Sequence, residues 1–362
     1  QIDPGNEKAA GYKLLAMEGN SDAQISFARS FLDDHPEANE LRMQYAQLLI
    51  RLEQGEEALE QLLVLLDHDP ENADALNLTA LLYQAREDYE NAAEYFKLRV
   101  AVVPGDDRSR LYLANAYQQT GRFDEAKSVL ASVNEGSELF SAQRQMALVI
   151  EEADGVEAGL AYLQTLEGDN EAQRSQLIVD QELMLQRAGR IDEAYALVNA
   201  ELEKQPENDT LRYHRALMSV QREDLEAHEK DMRILLERSP DDPHYNNTLG
   251  YTLLVMSDRL GEAKKLINKA FTSKPDDPYI LDSKGGLEYK LGKLDRALEF
   301  LLMAFQQDND AEIAAHIGEV FWKKGDRETE KEFWQLGEKI DSQNGYMIET
   351  MDRFLGESSA VD

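Results

Sequence analysis

Histidines and carboxylates are the residues of this sequence that could act as acids, bases or metal ligands. Carboxylates are so abundant, 71 of 362 residues, that pairs such as Glu56-Glu57 are expected by chance and are better explained as residues at a helix N-terminus. The stretch from His228 to Met232 lacks the second histidine of an HExxH zinc motif. No cysteine is present, which excludes disulfides, thiolate metal sites and cysteine nucleophiles. The sequence therefore predicts no catalytic centre, no metal site and no cofactor, and we expect a protein that is not an enzyme.

The net charge restricts the classes of partner. A formal net charge of -33 argues against binding to nucleic acid or to an anionic membrane surface. No apolar run reaches the roughly 20 residues that span a bilayer, so we expect contact with a membrane only through a lipid anchor that is absent from this fragment. The acidic residues are concentrated before residue 258, whereas residues 259–340 are nearly neutral. We interpret this difference either as two segments for two partners or as acidic residues that keep the surface soluble.

Prolines and small residues recur with a period of 34 residues, and these are the features that must position any binding side chain. Six prolines follow this period with a shift of a single residue: Pro36, Pro70, Pro104, Pro206, Pro240 and Pro275. Counting each proline as position 32 of a unit, small residues fall at positions 8 and 20, for example Ala46 with Ala58 and Gly250 with Ala263. Small residues at these positions let two helices pack closely. The pattern predicts an all-α chain built from about ten stacked helical hairpins.

The repeat divides the chain into five predicted stretches. Residues 1–4 read like the end of a preceding unit, so we expect further repeats before residue 1. The stretches are 1–38, a partial and degenerate repeat at a truncated N-terminus; 39–140, three units; 141–174, a degenerate unit; 175–344, five units; and 345–362, a capping helix and tail.

The first helix of each unit is expected to line an inner groove with positions 2, 5, 6, 9, 12 and 13. Amide side chains there could pair with the backbone of an extended peptide, and aromatic rings could cover its side chains. The alternative is that the tyrosines only fill gaps between units. The predicted groove residues are Tyr112, Asn115, Gln118, Gln119, Tyr213, His214, Asn247, Tyr251, Tyr289 and Trp322. We therefore expect proteins or extended peptides as partners.

The positions of the prolines and small residues resemble those of tetratricopeptide repeat proteins over nearly the whole chain. This resemblance implies a solenoid whose hairpins wind into a right-handed superhelix. The C-terminal third, with LGYTL, RLGEAKKLINKAF and EIAAHIGEVFWKKGD, resembles the terminal repeats of proteobacterial envelope proteins, often outer-membrane lipoproteins. Some proteins of that kind are adaptors of carboxyl-terminal processing proteases.

The resemblance implies a scaffold for protein–protein interaction that presents a substrate, such as a cell-wall hydrolase, to a carboxyl-terminal processing protease. It also implies a periplasmic location, anchored to the outer membrane in the full-length protein, with the cytoplasm as the alternative. Two other functions stay open at this point. The chain could be the repeat region of a larger enzyme such as a glycosyltransferase, or an assembly factor for outer-membrane or pilus proteins.

Overall fold

The computed structural model describes residues 7–358, and every regular element among them is an α-helix. The all-α prediction is thereby confirmed. The chain divides into two compact units, Gln1–Met184 and Leu185–Asp362. Residues 1–4, which the sequence predicts to end a preceding repeat, lie outside the described residues.

Helices follow one another along the chain with only short turns between them. The first unit contains α1 (Glu7–Ala16), α2 (Ser21–Asp34), α3 (Asn39–Arg51), α4 (Gly55–His68), α5 (Ala73–Ala85), α6 (Tyr89–Val102), α7 (Asp107–Gln119), α8 (Phe123–Ala131), α9 (Leu139–Asp154) and α10 (Val156–Gln164). Helix α11 (Glu171–Arg187) begins in the first unit, and its last residues belong to the second. The second unit also contains α12 (Ile191–Lys204), α13 (Asp209–Gln221), α14 (Leu225–Arg238), α15 (Pro243–Met256), α16 (Leu260–Ser273), α17 (Pro278–Lys290), α18 (Leu294–Gln307), α19 (Ala311–Lys324), α20 (Arg327–Ile340) and α21 (Gly345–Ser358). Within the described chain the helices pack as consecutive hairpins, which confirms the predicted solenoid architecture.

Asparagine and aspartate side chains begin the first helix of most hairpins. Asn72 Oδ1 accepts a hydrogen bond from Ala75 N at 3.1 Å, and Asp242 Oδ1 accepts one from Tyr245 N at 2.9 Å. Both of these caps follow a repeat-closing proline by two residues, Asn72 after Pro70 and Asp242 after Pro240. The proline cannot continue the preceding helix and the cap satisfies the first free N–H groups of the next one. One short stretch of sequence thus ends one hairpin and starts another.

The turn inside most hairpins uses a residue with positive φ. Gly121 has a φ of 71°, in the left-handed region that glycine adopts without steric cost. Glu53 and Glu87 stand at the same repeat position with a φ of 59° each, and Glu223 has 56°. A side chain with a Cβ costs about 1–2 kcal/mol in this conformation. Packing of the two helices therefore imposes the turn even where the sequence does not supply glycine.

Small residues let the two helices of a hairpin approach each other, as the repeat pattern predicts. Ala46 and Ala58 are completely buried. A Cβ added to Gly250 would lie 2.9 Å from Ile267 Cγ1, so this position has no room for a side chain. Larger apolar residues of neighbouring hairpins then close around these contacts, and each hairpin buries its apolar face against the next one.

The C-terminal helix α21 covers the last hairpin. Met347 is buried against Ala314, Ala315 and Trp334, and its backbone N–H is capped by Asn344 at 3.0 Å. Helix α21 thus buries part of the apolar face of the hairpin formed by α19 and α20. None of the helices in residues 7–358 is long and apolar enough to cross a membrane.

Candidate binding groove

A groove of about 450 Å³ opens on the second unit, and we refer to it as the second-unit groove. Its walls come from the first helices of four consecutive hairpins, α13, α15, α17 and α19, together with the residue that caps α19. The lining residues are Leu217, Val220, Gln221, Asn247, Thr248, Tyr251, Thr252, Tyr279, Asp282, Ser283, Asp310, Glu312 and Ile313. A surface of this size and mixed character suits a short peptide segment.

Asn247 joins two walls of the groove. Its Nδ2 atom on α15 donates to Ser283 Oγ on α17 at 3.0 Å and to the Tyr279 carbonyl at 3.4 Å. The Asn247 Oδ1 atom has no hydrogen-bond partner in the described protein. An acceptor that is buried without a donor is unfavourable.

A network of three side chains includes two that line the groove, Tyr251 and Asp282. His316 Nδ1 on α19 contacts Asp282 Oδ1 on α17 at 2.7 Å, and its Nε2 atom lies 3.4 Å from the Tyr251 hydroxyl on α15. Burial alone would lower the pKa of His316, but the Asp282 carboxylate raises it to about 9. His316 is therefore an imidazolium at neutral pH, and it links three successive first helices of the array.

The N-terminal end of α19 makes one end of the groove acidic. Asp310 caps this helix, with its Oδ1 atom accepting from Ile313 N at 3.2 Å. Glu312, in the first turn, is half-buried, and burial, with the nearby Asp282 and Asp310 carboxylates, raises the pKa of its carboxyl group. Neither lysine nor arginine occurs among the described residues that line the groove.

Of the predicted groove residues in the second unit, the structure brings two into the groove wall. Asn247 and Tyr251 line it directly, while the Tyr213 hydroxyl lies 3.0 Å from Thr248 Oγ1 at its edge. His214 is half-buried beside the Tyr213 ring, with ring centroids 6.3 Å apart.

Tyr289 and Trp322 are not among the residues that line the groove. The ring of half-buried Tyr289 lies 5.4 Å from Lys323 Nζ. Trp322 stacks on Trp334 with ring centroids 6.0 Å apart, and the Arg327 guanidinium lies 3.3 Å from its ring. Trp322 therefore packs between helices α19, α20 and α21.

The remaining four predicted residues belong to α7 of the first unit. Tyr112 stacks on Phe96 with ring centroids 5.3 Å apart, so it fills a gap between hairpins. Gln118 is buried and donates to Glu152 Oε1 at 2.7 Å. Asn115 is half-buried and Gln119 is exposed. Tyr112 is half-buried as well, so Gln118 is the one of these four described residues that a ligand of the first unit could not reach.

Several lining residues were not selected from the sequence, although the repeat register contains the signal for them. Tyr279 and Glu312 stand at position 2 of their units, Asp282 at position 5, Ser283 at position 6 and Leu217 at position 9. The predicted groove residues are all aromatic, histidine or amide residues, so the prediction contained neither the carboxylates nor the leucine. Applying the register to every residue type would have identified them.

His228, the histidine nearest to a zinc motif, is a core residue. It is completely buried, its Nδ1 atom lies 2.8 Å from the Ala216 carbonyl oxygen, and burial lowers its pKa. Across residues 7–358, no three histidine, aspartate or glutamate side chains lie close enough together to hold a metal ion.

Parts of this chain are similar to known tetratricopeptide repeat proteins. Two family models described as tetratricopeptide repeat match residues 46–107 and 83–137. The chain is 35% identical over 207 residues to TPR repeat-containing protein PA4667 of Pseudomonas aeruginosa. The matched residues make up 57% of this chain and 35% of that protein. The chain thus matches about a third of the length of this relative.

Solved structures with a related arrangement of helices include two bacterial repeat proteins. The thermophilic TPR protein TTC0263 of Thermus thermophilus is 17% identical, with a TM-score of 0.45 over 50% of this chain and 97% of that one. A tetratricopeptide repeat protein from Parabacteroides merdae is 15% identical, with a TM-score of 0.45 over 77% of this chain and 97% of that one.

Proposed function

We propose that this tetratricopeptide repeat protein, a scaffold for protein–protein interaction, is an envelope adaptor that presents protein substrates to a carboxyl-terminal processing protease. The observation that carries the proposal is the second-unit groove, a peptide-sized opening in the C-terminal part of the chain. The C-terminal third is also where the sequence resembles the terminal repeats of envelope lipoproteins. In this proposal the full-length protein acts in the periplasm, attached to the outer membrane.

An adaptor of this kind accelerates proteolysis without contributing a catalytic group. Holding protease and substrate on one chain replaces a bimolecular encounter by an intramolecular one, whose effective concentration is set by the distance between the two bound proteins. The abundant acidic residues keep such a protein soluble and disfavour unspecific binding to anionic surfaces.

The proposal is tested by reconstituting degradation of a cell-wall hydrolase by a carboxyl-terminal processing protease from the source organism. The initial rate is measured while the concentration of the chain is increased. We expect the rate to rise and then fall, because excess scaffold binds protease and substrate on separate molecules. An unchanged rate at all concentrations would refute the proposal, and a rise without a fall would refute the tethering mechanism.

A matched pair of tyrosine variants assigns the effect to the groove. Tyr279 lines the groove with 60% of its surface exposed, and Tyr12 on α1 is 74% exposed in the other unit. We expect Tyr279→Ala to raise the scaffold concentration needed for the maximal rate, and Tyr12→Ala to leave it unchanged. Equal effects of both changes would place binding outside the groove.

A further inference from the structure

Negative charge exceeds positive charge at the α19 end of the second-unit groove. Asp282, Asp310 and Glu312 contribute carboxylates, and the one cation close to them in the described structure is the His316 imidazolium. Asp282 is paired with His316, and Asp310 accepts hydrogen bonds from the first N–H groups of α19. The carboxylate of Glu312 makes no ion pair or side-chain hydrogen bond with any described residue. It is the one acid of the three that is left for a ligand.

Glu312 is held in an unfavourable environment. Its position in the first turn of α19 gives it some support from the helix dipole, and the His316 imidazolium one turn further on also favours its charged form. Burial outweighs both and raises the pKa of its carboxyl group. A cation that enters the groove would provide the missing counter-charge, and a desolvated pair of this kind favours binding more than a pair on an open surface does.

Two large apolar side chains are exposed in the groove, one at its α13 end and one on α17, where the Tyr279 hydroxyl donates to Asp308 Oδ2 at 3.3 Å. Leu217 on α13 is 36% exposed and Tyr279 on α17 is 60% exposed, although both are large apolar side chains. Both line the same groove as Glu312. Exposed apolar side chains in a concave surface are typical of a site that is covered by a partner.

The groove wall also presents groups that can bond to a peptide backbone. The Gln221 amide on α13 and the Thr248 hydroxyl on α15 belong to the lining. An extended segment presents an N–H or C=O group at every residue, which matches such a row of amides and hydroxyls.

We infer that the second-unit groove binds an extended peptide segment in which a lysine or arginine pairs with Glu312 and apolar side chains pack on Tyr279 and on Leu217. The inference rests on the proposed scaffold function and specifies the sequence that the scaffold selects. A strongly acidic chain would in this way select protein segments that carry both basic and apolar residues.

The experiment uses the full chain immobilised on beads and a positional-scanning library of acetylated, amidated hexapeptides. Bound peptides are identified by mass spectrometry. We expect selection of lysine or arginine at one position with leucine, isoleucine or phenylalanine close to it. The absence of any selected peptide, or selection of acidic residues, would overturn the inference.

The best peptide is then synthesised and its affinity measured by fluorescence anisotropy. Replacing its cationic residue by norleucine or citrulline should weaken binding about tenfold or more, and Glu312→Gln should do the same. Glu328→Gln is the matched control, since Glu328 is an exposed first-turn glutamate of the next helix, α20. Wild-type affinity in a folded Glu312→Gln protein would refute the role of Glu312.

Charge reversal separates lost recognition from lost folding. The Glu312→Lys protein should bind a peptide that carries glutamate in place of the cationic residue better than it binds the original peptide. If it instead keeps its preference for the basic peptide, the inference is wrong. Stimulated proteolysis with no basic peptide selected would leave the proposed adaptor function standing and reject only this inference.

Discussion

The ion pair between His316 and Asp282 predicts that the stability of the last hairpins depends on pH. Burial alone would lower the pKa of His316, but the Asp282 carboxylate on α17, with Glu312 and Glu319 on its own helix, raises it from 6.5 to about 9. The folded state therefore holds a proton that the unfolded chain releases between these two values. The stabilisation is complete below pH 6.5 and is lost as the pH rises through 9.

The pKa shift of His316 sets the size of the effect. A rise from 6.5 to about 9 corresponds to about 3 kcal/mol of unfolding free energy. Two tyrosines also face His316, Tyr251 from α15 and Tyr346 from α21. Burial raises the pKa of both well above the usual tyrosine range, so they stay protonated over the interval of interest.

Tryptophan fluorescence reports this region selectively. The sequence contains two tryptophans, Trp322 and Trp334, and they lie on α19 and α20. Urea unfolding of the wild type should show a loss of about 3 kcal/mol between pH 6.5 and pH 10. In His316→Gln this part of the pH dependence should disappear, although the variant is less stable at pH 6.5 because Asp282 has lost its partner.

The control is His244→Gln, which removes an exposed histidine from α15 and should keep the wild-type pH dependence. If His316→Gln loses the same free energy between pH 6.5 and pH 10 as the wild type does, the reasoning about this pair is wrong.

Three further predictions are checked by urea unfolding followed by circular dichroism. Gly285→Ala should destabilise the protein by about 1–3 kcal/mol because its Cβ would lie 2.5 Å from a leucine side chain, whereas Gly286→Ala, with nothing nearer than 3.8 Å, should stabilise it by up to about 1 kcal/mol. Asp231→Asn should cost about 3–5 kcal/mol since this buried carboxylate pairs with two arginines, while the exposed Asp241→Asn should change stability by less than about 0.5 kcal/mol. Glu87→Gly should stabilise by about 0.5–1 kcal/mol by relieving a φ of 59°, and a loss of stability would contradict the strain assigned to that turn.

The repeat fold could be predicted because each of its local requirements is met by one residue type at a fixed position. A closing proline such as Pro70, a cap such as Asn72 and a small residue such as Ala80 recur at the same spacing, and together they specify a hairpin. The glutamates with positive φ could not be predicted. Glu87 adopts its conformation because helices α5 and α6 pack on either side of it, which no local preference of glutamate favours.

The repeat pattern alone does not predict which groove side chains are available to a ligand. Neighbouring first helices touch at residues about one period apart, as in His316 with Asp282, 34 residues apart, and Asn247 with Ser283, 36 apart. The repeat register brings such positions together, so these pairs could be predicted from the sequence. The sequence does not show which of the groove side chains remains without a partner, because that depends on how every neighbouring side chain is paired. Glu312 is left without a counter-charge only because His316 is already bound to Asp282, and that competition between two carboxylates for one histidine is a property of the packed array.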